Sequence, residues 1–387
     1  MNIWDKEYLK LCKTILKEGK EVENRTGINT IKIPSYELNF DLSKEFPILT
    51  TKQLFHKKAI IEILWIWQMM SNKVKDLQDR NVKIWDEWMV DDDGIYRIYE
   101  PNGEYDPDKE VDVIDPLSVP VDDPFGRTHR FEVKKDEFGN TLKAKSRIPG
   151  KTIRAAKWYG KEYAGTIGTA YGFITDRYQF AKTLIETIKN DPTDRRMVKS
   201  LWQDEFLRTA VLPSCVWSTE WDVTDGKLNL LVHQRSCDVP LGLPFNVTQY
   251  ATLLMMMAQV TNLEPGTIKH SIKDAHIYVN QIEGIKEQIR REKEYNKLSK
   301  MNVNDLEKLK EEVRIKRDSI EDKKSEKYAL LDTKYRIIDM ILEPTKVEMK
   351  LNPDVKDFFK FDNSSELKDV KVLNYKHMGK INFPIAQ

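Results

Sequence analysis

The sequence predicts one α+β domain that is interrupted by two insertions. Helical and strand-like hydrophobic patterns alternate along most of the chain, and 40% of its 387 residues are hydrophobic, which is enough for a large core. Residues 91–165 differ because they are rich in Asp, Pro and Gly, and residues 289–342 differ because they are dense in charge. Length alone allows one large domain or two, and the two shifts in composition favour one domain with insertions.

The chain is neither strongly basic nor strongly acidic. There are 63 Lys and Arg and 62 Asp and Glu, so no overall field attracts nucleic acid or a membrane, and an anionic ligand needs a local cluster of cations. Three Cys cannot form a paired disulfide framework. No signal-like segment and no apolar run of about 18 residues is present. We therefore expect free thiols and a cytoplasmic location, in the host cytoplasm if the protein is phage-encoded.

The first part of the chain predicts a helix, strands and a second, buried helix. Apolar residues at helical spacing stop at Gly19 and include Cys12, which we interpret as a small core side chain. Alternating apolar residues on both sides of Pro34 predict strands. The run "HKKAIIEILWIWQMM" is apolar almost all round and predicts a buried helix.

The later part predicts a β-hairpin between helices. The stretch "YQFAKTLIETIK" predicts a helix and "RRMVKSLWQ" a strand. Alternating residues before and after the "TDG" turn at Asp225 predict a hairpin, and "VTQYATLLMMMAQV" predicts a further helix. Apolar residues in the second insertion are too sparse for a core of its own, which predicts a solvated helical hairpin, and the tail returns to strand-like alternation.

Three side chains are candidates for chemistry on general grounds. Glu62 lies within the buried helix, where desolvation should raise its pKa toward the range of a general acid or base; alternatively it reaches a helix edge or pairs with an Arg. A nucleophilic Cys needs nearby cations that stabilise the thiolate. Arg235 is adjacent to Cys237 in sequence, but it could face Cys215 if the two strands pair, and the spacing does not decide between them.

Other residues form candidate ligand groups. The arginines Arg195, Arg196, Arg25 and Arg235 could bind a phosphate as a cluster, although each alone is an ordinary surface residue. In "DAHIY", His276 and Tyr278 are two residues apart and would share one face of a strand. The Cys and His spacings show no metal-binding pattern, and we expect no metal.

Nine motifs resemble the thymidylate synthase and pyrimidine hydroxymethylase family and occur in that family's order. They are "NRTG", "PILTTK", "IWDEW", "YG" at Tyr171, "DPTDRR", "LPSC", "QRSCDVPLGLPFN", "DAHIY" and "PIAQ". The resemblance covers most of the chain outside the two insertions. It implies a single catalytic domain over residues 1–387 and a homodimer. In that fold a large curved mixed sheet lies at the dimer interface and is flanked by helices.

The resemblance also implies a role for each matching residue. Cys215 matches the nucleophile that adds to C6 of the pyrimidine, Glu62 the carboxylate that organises proton transfers at O4, and Tyr171 the group that assists removal of the C5 proton. Asn246 matches the amide that reads the base and favours dUMP over dCMP. The implied phosphate and sugar ligands are Arg25, Arg235, Ser236, His276 and Tyr278, with Arg195 and Arg196 reaching in from the other subunit. The implied site for 5,10-methylenetetrahydrofolate comprises Lys52, Ile84, Trp85, Trp88, Leu212, Asp238, Leu241, Gly242, Phe245 and C-terminal residues such as Ala386; Asp238 is also expected to act in catalysis.

The two branches of the family differ in whether water or hydride reaches the methylene group on C5. The sequence favours a phage-type dUMP hydroxymethylase, because Gln387 replaces a small apolar terminal residue and Lys273 replaces a glycine. Two insertions of this size are also uncommon in ordinary synthases. Trp85, Trp88 and Asp238 are present as in synthases, so thymidylate synthase is the alternative. A third possibility, of another class, is an inactive family member that binds nucleic acid or serves as a scaffold through its second insertion.

Overall fold

The computed structural model describes residues 1–101 and 105–385. The α-helices of these residues are α1 (Ile3–Glu18), α2 (His56–Trp67), α3 (Val74–Gln78), α4 (Gly172–Arg177), α5 (Phe180–Asn190), α6 (Asp204–Leu207), α7 (Gly242–Val260), α8 (Ile282–Leu298), α9 (Val303–Asp318) and α10 (Glu326–Leu342). The strands are β1 (Lys20–Val22), β2 (Thr30–Asp41), β3 (Ile95–Tyr99), β4 (Glu110–Asp115), β5 (Glu132–Val133), β6 (Lys143–Lys145), β7 (Ile153–Trp158), β8 (Val198–Ser200), β9 (Val216–Thr224), β10 (Lys227–Gln234), β11 (Cys237–Asp238), β12 (Glu264–Tyr278), β13 (Glu348–Leu351) and β14 (Val370–Leu373).

A seven-stranded mixed sheet forms the centre of the fold. Its order is β1-β2-β12-β10-β9-β8, and β11 pairs with β12 off this path. Strand β12 runs parallel to β10 and β11, and the other pairs are antiparallel. Leu228, Leu230 and Val232 alternate with more exposed residues along β10, so one face of the sheet enters the core. The predicted α+β class is confirmed.

Helices α1, α2 and α7 pack on the core as their patterns predict. Cys12 on α1 is fully buried, and α2 and α7 contact each other. Nine of the twelve residues of α2 are buried, which agrees with a sequence that is apolar all round. The predicted hairpin is also confirmed, because β9 and β10 pair antiparallel across the turn at Asp225 and Gly226.

The first insertion, residues 91–165, forms a sheet of its own. The strand order is β3-β7-β4-β5, with β6 pairing with β4, around a small cluster that includes Ile95, Val113 and Ile153. A second cluster joins this sheet to the main domain through Tyr159 and Val211. The sequence predicted only loops and short strands here, because the pairings that build this sheet are non-local.

The second insertion differs from the predicted solvated hairpin. Three helices, α8 to α10, occupy the segment, and α8 begins at Ile282, before the composition shift. They share an apolar cluster that includes Leu298, Ile337 and Ile338. Arg291 on α8 is buried and donates to the backbone carbonyls of Thr51 and Gly379. The segment therefore has a small core and is tied to the main domain. Among the described residues of the tail, up to residue 385, β14 is the one part that keeps the predicted strand.

Gly172, the first residue of α4, has no room for a side chain. A Cβ atom there would overlap the backbone oxygen of Ser71, and backbone atoms cannot move aside as a flexible side chain can. We expect Gly172→Ala to lower the free energy of unfolding by about 3 kcal/mol or more, measured by urea denaturation.

Gly242→Ala is the matched control for this prediction. A Cβ atom at Gly242 has its nearest neighbour, Asn246 Oδ1, at 3.7 Å and so fits without a clash. This variant should leave the free energy of unfolding unchanged or slightly higher, since Ala is the better helix former. Equal losses in both variants would contradict the steric explanation.

Candidate active site

A cavity of about 840 Å³ lies between the main sheet and the first insertion. Cys215 precedes β9, Arg235 and Ser236 follow β10, and His276 and Tyr278 end β12, so neighbouring strands bring these residues to one wall. The wall also includes the predicted site residues Arg25, Trp88 and Leu212.

The hairpin register places Arg235 beside Cys215. The backbone N–H of Arg235 donates to the carbonyl of Cys215 at 2.8 Å. The guanidinium donates to the carbonyls of Pro213 and Ser214, and its Nη2 lies 4.0 Å from Cys215 Sγ. A cation is thus held close to the thiol by three contacts with the strand that carries it.

The other two thiols are fully buried away from the cavity wall. Burial raises the pKa of Cys12 to about 12 and that of Cys237 well above its ordinary value. Both thiols therefore stay protonated near neutral pH. Cys215 is half-buried and faces the cavity, which distinguishes it from the other two.

Tyr171 lies directly behind Cys215. Its hydroxyl accepts a hydrogen bond from the Cys215 backbone N–H at 2.8 Å. Burial and the nearby Cys215 raise the pKa of Tyr171 well above its ordinary value, so the phenol remains protonated. Tyr171 has a φ of 46°, a positive value that is uncommon for a non-glycine residue and is often found at functional sites.

Glu62 is a buried carboxyl group with two hydrogen-bond donors. Oε1 accepts from Trp85 Nε1 at 2.8 Å, and Oε2 accepts from Gln249 Nε2 at 2.6 Å. Burial raises the pKa of Glu62 to about 7, although both hydrogen bonds act to lower it. The group can therefore take up or release a proton near neutral pH. Trp85 connects it to Tyr171, since the two rings are 5.5 Å apart.

His276 and Tyr278 share one side of β12, and their rings are 5.3 Å apart. His276 Nδ1 lies 2.9 Å from the backbone carbonyl of Asp274, which leaves Nε2 for another partner. Asp274 has a φ of 53°, and its carboxylate contacts Lys32 at 3.0 Å and Ser236 Oγ at 3.5 Å.

Comparison with known proteins identifies the family. The family model described as thymidylate synthase matches residues 6–337. The chain is 38% identical over 304 residues to a thymidylate synthase of Clostridium beijerinckii, with 79% of this chain and 88% of that protein covered. Among solved structures, the thermostable thymidylate synthase A from Bacillus subtilis matches with a TM-score of 0.62 and 28% identity, covering 99% of each chain.

The chain belongs to the thymidylate synthase family. Members are one-carbon transferases of nucleotide biosynthesis that bind dUMP, use 5,10-methylenetetrahydrofolate as co-substrate and are dimeric. Within residues 1–101 and 105–385, none of the helices has the length and apolarity that a membrane span requires.

Of the described residues expected at the folate site of this family, Trp88 and Leu212 line the cavity with Cys215 and the others do not. Lys52 Nζ donates to the carbonyl of Pro240 and lies 4.6 Å from the ring centroid of Phe383. Burial lowers the pKa of Lys52 to about 8. Asp238 accepts hydrogen bonds from the Leu241 backbone N–H and from Gln281 Nε2, and burial raises its pKa. Ile84, Trp88, Leu212 and Phe245 pack against the core as partly buried side chains, and Gly242 begins α7.

The predicted phosphate ligands Arg195 and Arg196 are not brought to this cavity, and Glu62, Tyr171 and Asn246 do not line it. Arg195 and Arg196 are exposed in the loop between α5 and β8, where Arg196 Nε contacts Asp194 at 2.8 Å. They do not line the cavity of their own chain. Ala386 and Gln387 lie outside the described residues.

Three buried polar residues near Glu62 were not predicted from the sequence. Gln249 Oε1 accepts from Asn246 Nδ2 at 3.1 Å, and Asn246 Oδ1 accepts from Gln234 Nε2 at 3.1 Å. Gln234 Oε1 lies 2.8 Å from His270 Nε2. Burial lowers the pKa of His270 to about 3, so its ring is neutral, and Nε2 carries the proton because the Gln234 oxygen can only accept.

These contacts form one continuous chain of donors from His270 to Glu62, and they set the orientation of the Asn246 amide. Once these two hydrogen bonds are made, the Asn246 amide still has one N–H and one oxygen lone pair available for a ligand. The spacing of Asn246 and Gln249, three residues apart on one helix, was the available signal for part of this chain. Nothing in the sequence indicates that Gln234 and His270 meet.

The hydrogen bond from Gln249 stabilises the charged form of Glu62. We expect Gln249→Leu to raise the pKa of Glu62 above its value of about 7, because a donor to the carboxylate is lost while burial remains. The midpoint can be measured from the carboxyl C=O infrared band during a pH titration, with Glu62→Gln used to assign the band.

Gln259→Leu on the same helix is the control for this titration, because its amide donates to the carbonyls of Asn352 and Val355. That variant should leave the midpoint unchanged. A midpoint that stays the same or falls in Gln249→Leu would show that Gln249 does not stabilise the carboxylate.

Proposed function

We propose that this protein converts dUMP and 5,10-methylenetetrahydrofolate to dTMP and dihydrofolate. The observation that carries the proposal is the environment of Cys215: of the three Cys, all within the described residues, it alone lines the cavity. Its Sγ lies 4.0 Å from Arg235 Nη2. A half-buried thiol beside a cation is the arrangement that a covalent nucleophile requires.

The first step is addition of the Cys215 thiolate to C6 of the uracil. The electrons of the C5–C6 double bond move toward O4, which makes C5 an enolate carbon able to form a bond to the methylene carbon. Arg25, Arg235 and Ser236 would hold the nucleotide phosphate on the same wall, and His276 and Tyr278 the sugar hydroxyl. Binding energy from the phosphate is thereby used to position C6 against the thiol.

Glu62 and Asn246 are the groups that would stabilise the negative charge that develops at O4. With a pKa of about 7, Glu62 can supply a proton toward O4 and take it back later. Asn246 has one N–H and one lone pair left, which match O4 and N3–H of uracil. Tyr171, which is hydrogen-bonded to the Cys215 backbone, is the group proposed to assist loss of the C5 proton.

The last step decides between synthase and hydroxymethylase. The folate supplies the methylene carbon, whose bond to the folate nitrogen breaks as the C5 proton is lost. In a synthase the folate also supplies the hydride that reduces the methylene group as the Cys215–C6 bond breaks. The indole of Trp85 is buried, donates a hydrogen bond to Glu62 and packs against Trp88 and Tyr171. These surroundings favour a site from which water is excluded. The two relatives named above are also thymidylate synthases.

Hydroxymethylation to 5-hydroxymethyl-dUMP and tetrahydrofolate is the second candidate. It is favoured by Gln387, which lies outside the described residues, by Lys273 and by the presence of two insertions. Lys273 pairs with Ser35 between β12 and β2, is exposed and does not line the cavity, so it gives no path for water. The preference therefore moves to the synthase reaction.

A homodimer is part of the proposal, with Arg195 and Arg196 completing the phosphate site of the other subunit. Their exposure on a loop and their distance from their own cavity wall support this assignment. The guanidinium groups are suited to bidentate phosphate binding.

Incubation with [5-³H]dUMP and methylenetetrahydrofolate tests the reaction class and the product. We expect tritium release together with dTMP by mass spectrometry and the absorbance rise of dihydrofolate. Release that yields 5-hydroxymethyl-dUMP without dihydrofolate would establish the hydroxymethylase instead. If no tritium is released, the protein is not a one-carbon transferase on dUMP and the scaffold alternative stands.

Substitution of the three Cys tests the assignment of the nucleophile. Cys215→Ser should lower turnover by at least about 10³-fold, the scale of loss when a nucleophile is removed. Cys237→Ser and Cys12→Ser should retain most of the turnover, because those thiols are buried and protonated. Circular dichroism of each variant controls for folding, and a folded Cys237→Ser as inactive as Cys215→Ser would overturn the assignment.

A further inference from the structure

The cavity carries an excess of positive charge that the whole chain lacks. Seven Lys and Arg side chains and two Asp and Glu side chains line it, an excess of five positive charges, whereas the net charge of the chain is +1. Two of these cations already have protein partners: Lys32 pairs with Asp274, and Arg208 donates to the carbonyl of Val119. Arg25 and Arg235 are the residues assigned above to the nucleotide phosphate.

The remaining three cations, Arg127, Arg154 and Lys157, all belong to the first insertion. None of them has an Asp or Glu within 4.0 Å among the described residues. Arg127 contacts a ring instead, with its guanidinium 5.3 Å from the centroid of Phe125. Arg154 and Lys157 are half-buried on β7, so their charges are partly withdrawn from water without compensation.

A β-bulge brings Arg154 and Lys157 to the same cavity. Residues three apart on a regular strand point to opposite faces. In the β3–β7 pair, Ile98 pairs with Ala155 and Tyr99 with Ile153, so Arg154 is the extra residue. Bulges of this kind redirect a side chain, and here Arg154 and Lys157 both line the cavity.

The cations of the insertion adjoin the phosphate side of the cavity. The charge of Arg25 acts with burial to lower the pKa of Lys157. Arg154 Nη1 lies 4.0 Å from the position that a Cβ of Gly27 would take, two residues along the loop from Arg25. Two of the expected folate residues, Trp88 and Leu212, line this cavity, whereas Lys52, Leu241 and Phe245 do not, so a folate carboxylate is the competing ligand for these cations.

We propose that Arg127, Arg154 and Lys157 form a second anion subsite that takes a further phosphate group of a pyrimidine nucleotide. The inference rests on the proposed function only in placing the first phosphate at Arg25 and Arg235. A monophosphate carries about two negative charges, which Arg25, Arg235 and the two arginines proposed to come from the other subunit already compensate. The three cations of the insertion then remain for a second phosphate, so nucleoside diphosphates and triphosphates bind in competition with dUMP.

Calorimetry with the full chain tests the proposal by comparing dUDP with dUMP at low ionic strength. We expect dUDP to bind at least about tenfold more tightly, the contribution of one charge-assisted contact. The double variant Arg154→Met and Lys157→Met keeps the apolar stems and should reduce this ratio to about one, with dUMP affinity within about threefold. Lys143→Met is the matched control, because Lys143 is exposed on β6 of the same insertion and does not line the cavity.

Inorganic pyrophosphate and phosphate provide a test that does not depend on the nucleoside. Pyrophosphate should bind more tightly than phosphate, and the double variant should lose the difference even if the protein proves inactive on dUMP. Equal affinity of the wild type for dUMP and dUDP overturns the proposal, as does an equal loss of both in the double variant. A double variant that loses preference only for a polyglutamyl over a monoglutamyl folate also overturns it, by assigning the cations to folate carboxylates.

Discussion

The register of the hairpin formed by β9 and β10 determines the position of Arg235 relative to Cys215. Pairing is regular up to His233 and Ser218, and it then shifts by one residue, so that Gln234 pairs with Val216. Because of this shift, Arg235 meets Cys215 rather than Val216. A one-residue change of register moves a side chain to the opposite face of a sheet. The single bulge therefore decides which thiol has a cation beside it.

Burial of Glu62 is the second constraint, and the polar residues around it are arranged to satisfy it. A buried carboxyl without donors would cost several kcal/mol, and here each oxygen accepts one hydrogen bond. The side-chain amides of Gln249, Asn246 and Gln234 can form a chain of donors toward Glu62 only if each keeps a single orientation. The chain ends at His270, whose Nδ1 has no partner among the described residues, a cost of about 1–3 kcal/mol. The same chain of hydrogen bonds holds the Asn246 amide in one orientation.

Helix α1, the buried helix α2 and the hairpin were predictable from the sequence because local periodicity determines them. The choice between Cys215 and Cys237 was not predictable from spacing, since the bulge that settles the geometry leaves no sequence signal. The sheet of the first insertion was missed for a related reason: its strands are short, and β4 pairs with β5, β6 and β7 at different distances along the chain. Family motifs indicated the site residues, but they could not show that the insertion forms part of the wall.

The composition also gave no indication of the charge in the cavity. Nearly equal totals of basic and acidic residues do not show which of them form ion pairs. In α9, Arg314 contacts Glu311 and Asp318, so a charge-dense segment neutralises itself. On β7, Arg154 and Lys157 face a cavity with no acidic partner among the described residues. Unpaired, half-buried cations destabilise a fold unless a ligand compensates them. The useful quantity is therefore the local charge that remains after ion pairing, which distinguishes Arg154 and Lys157 from the paired Arg314.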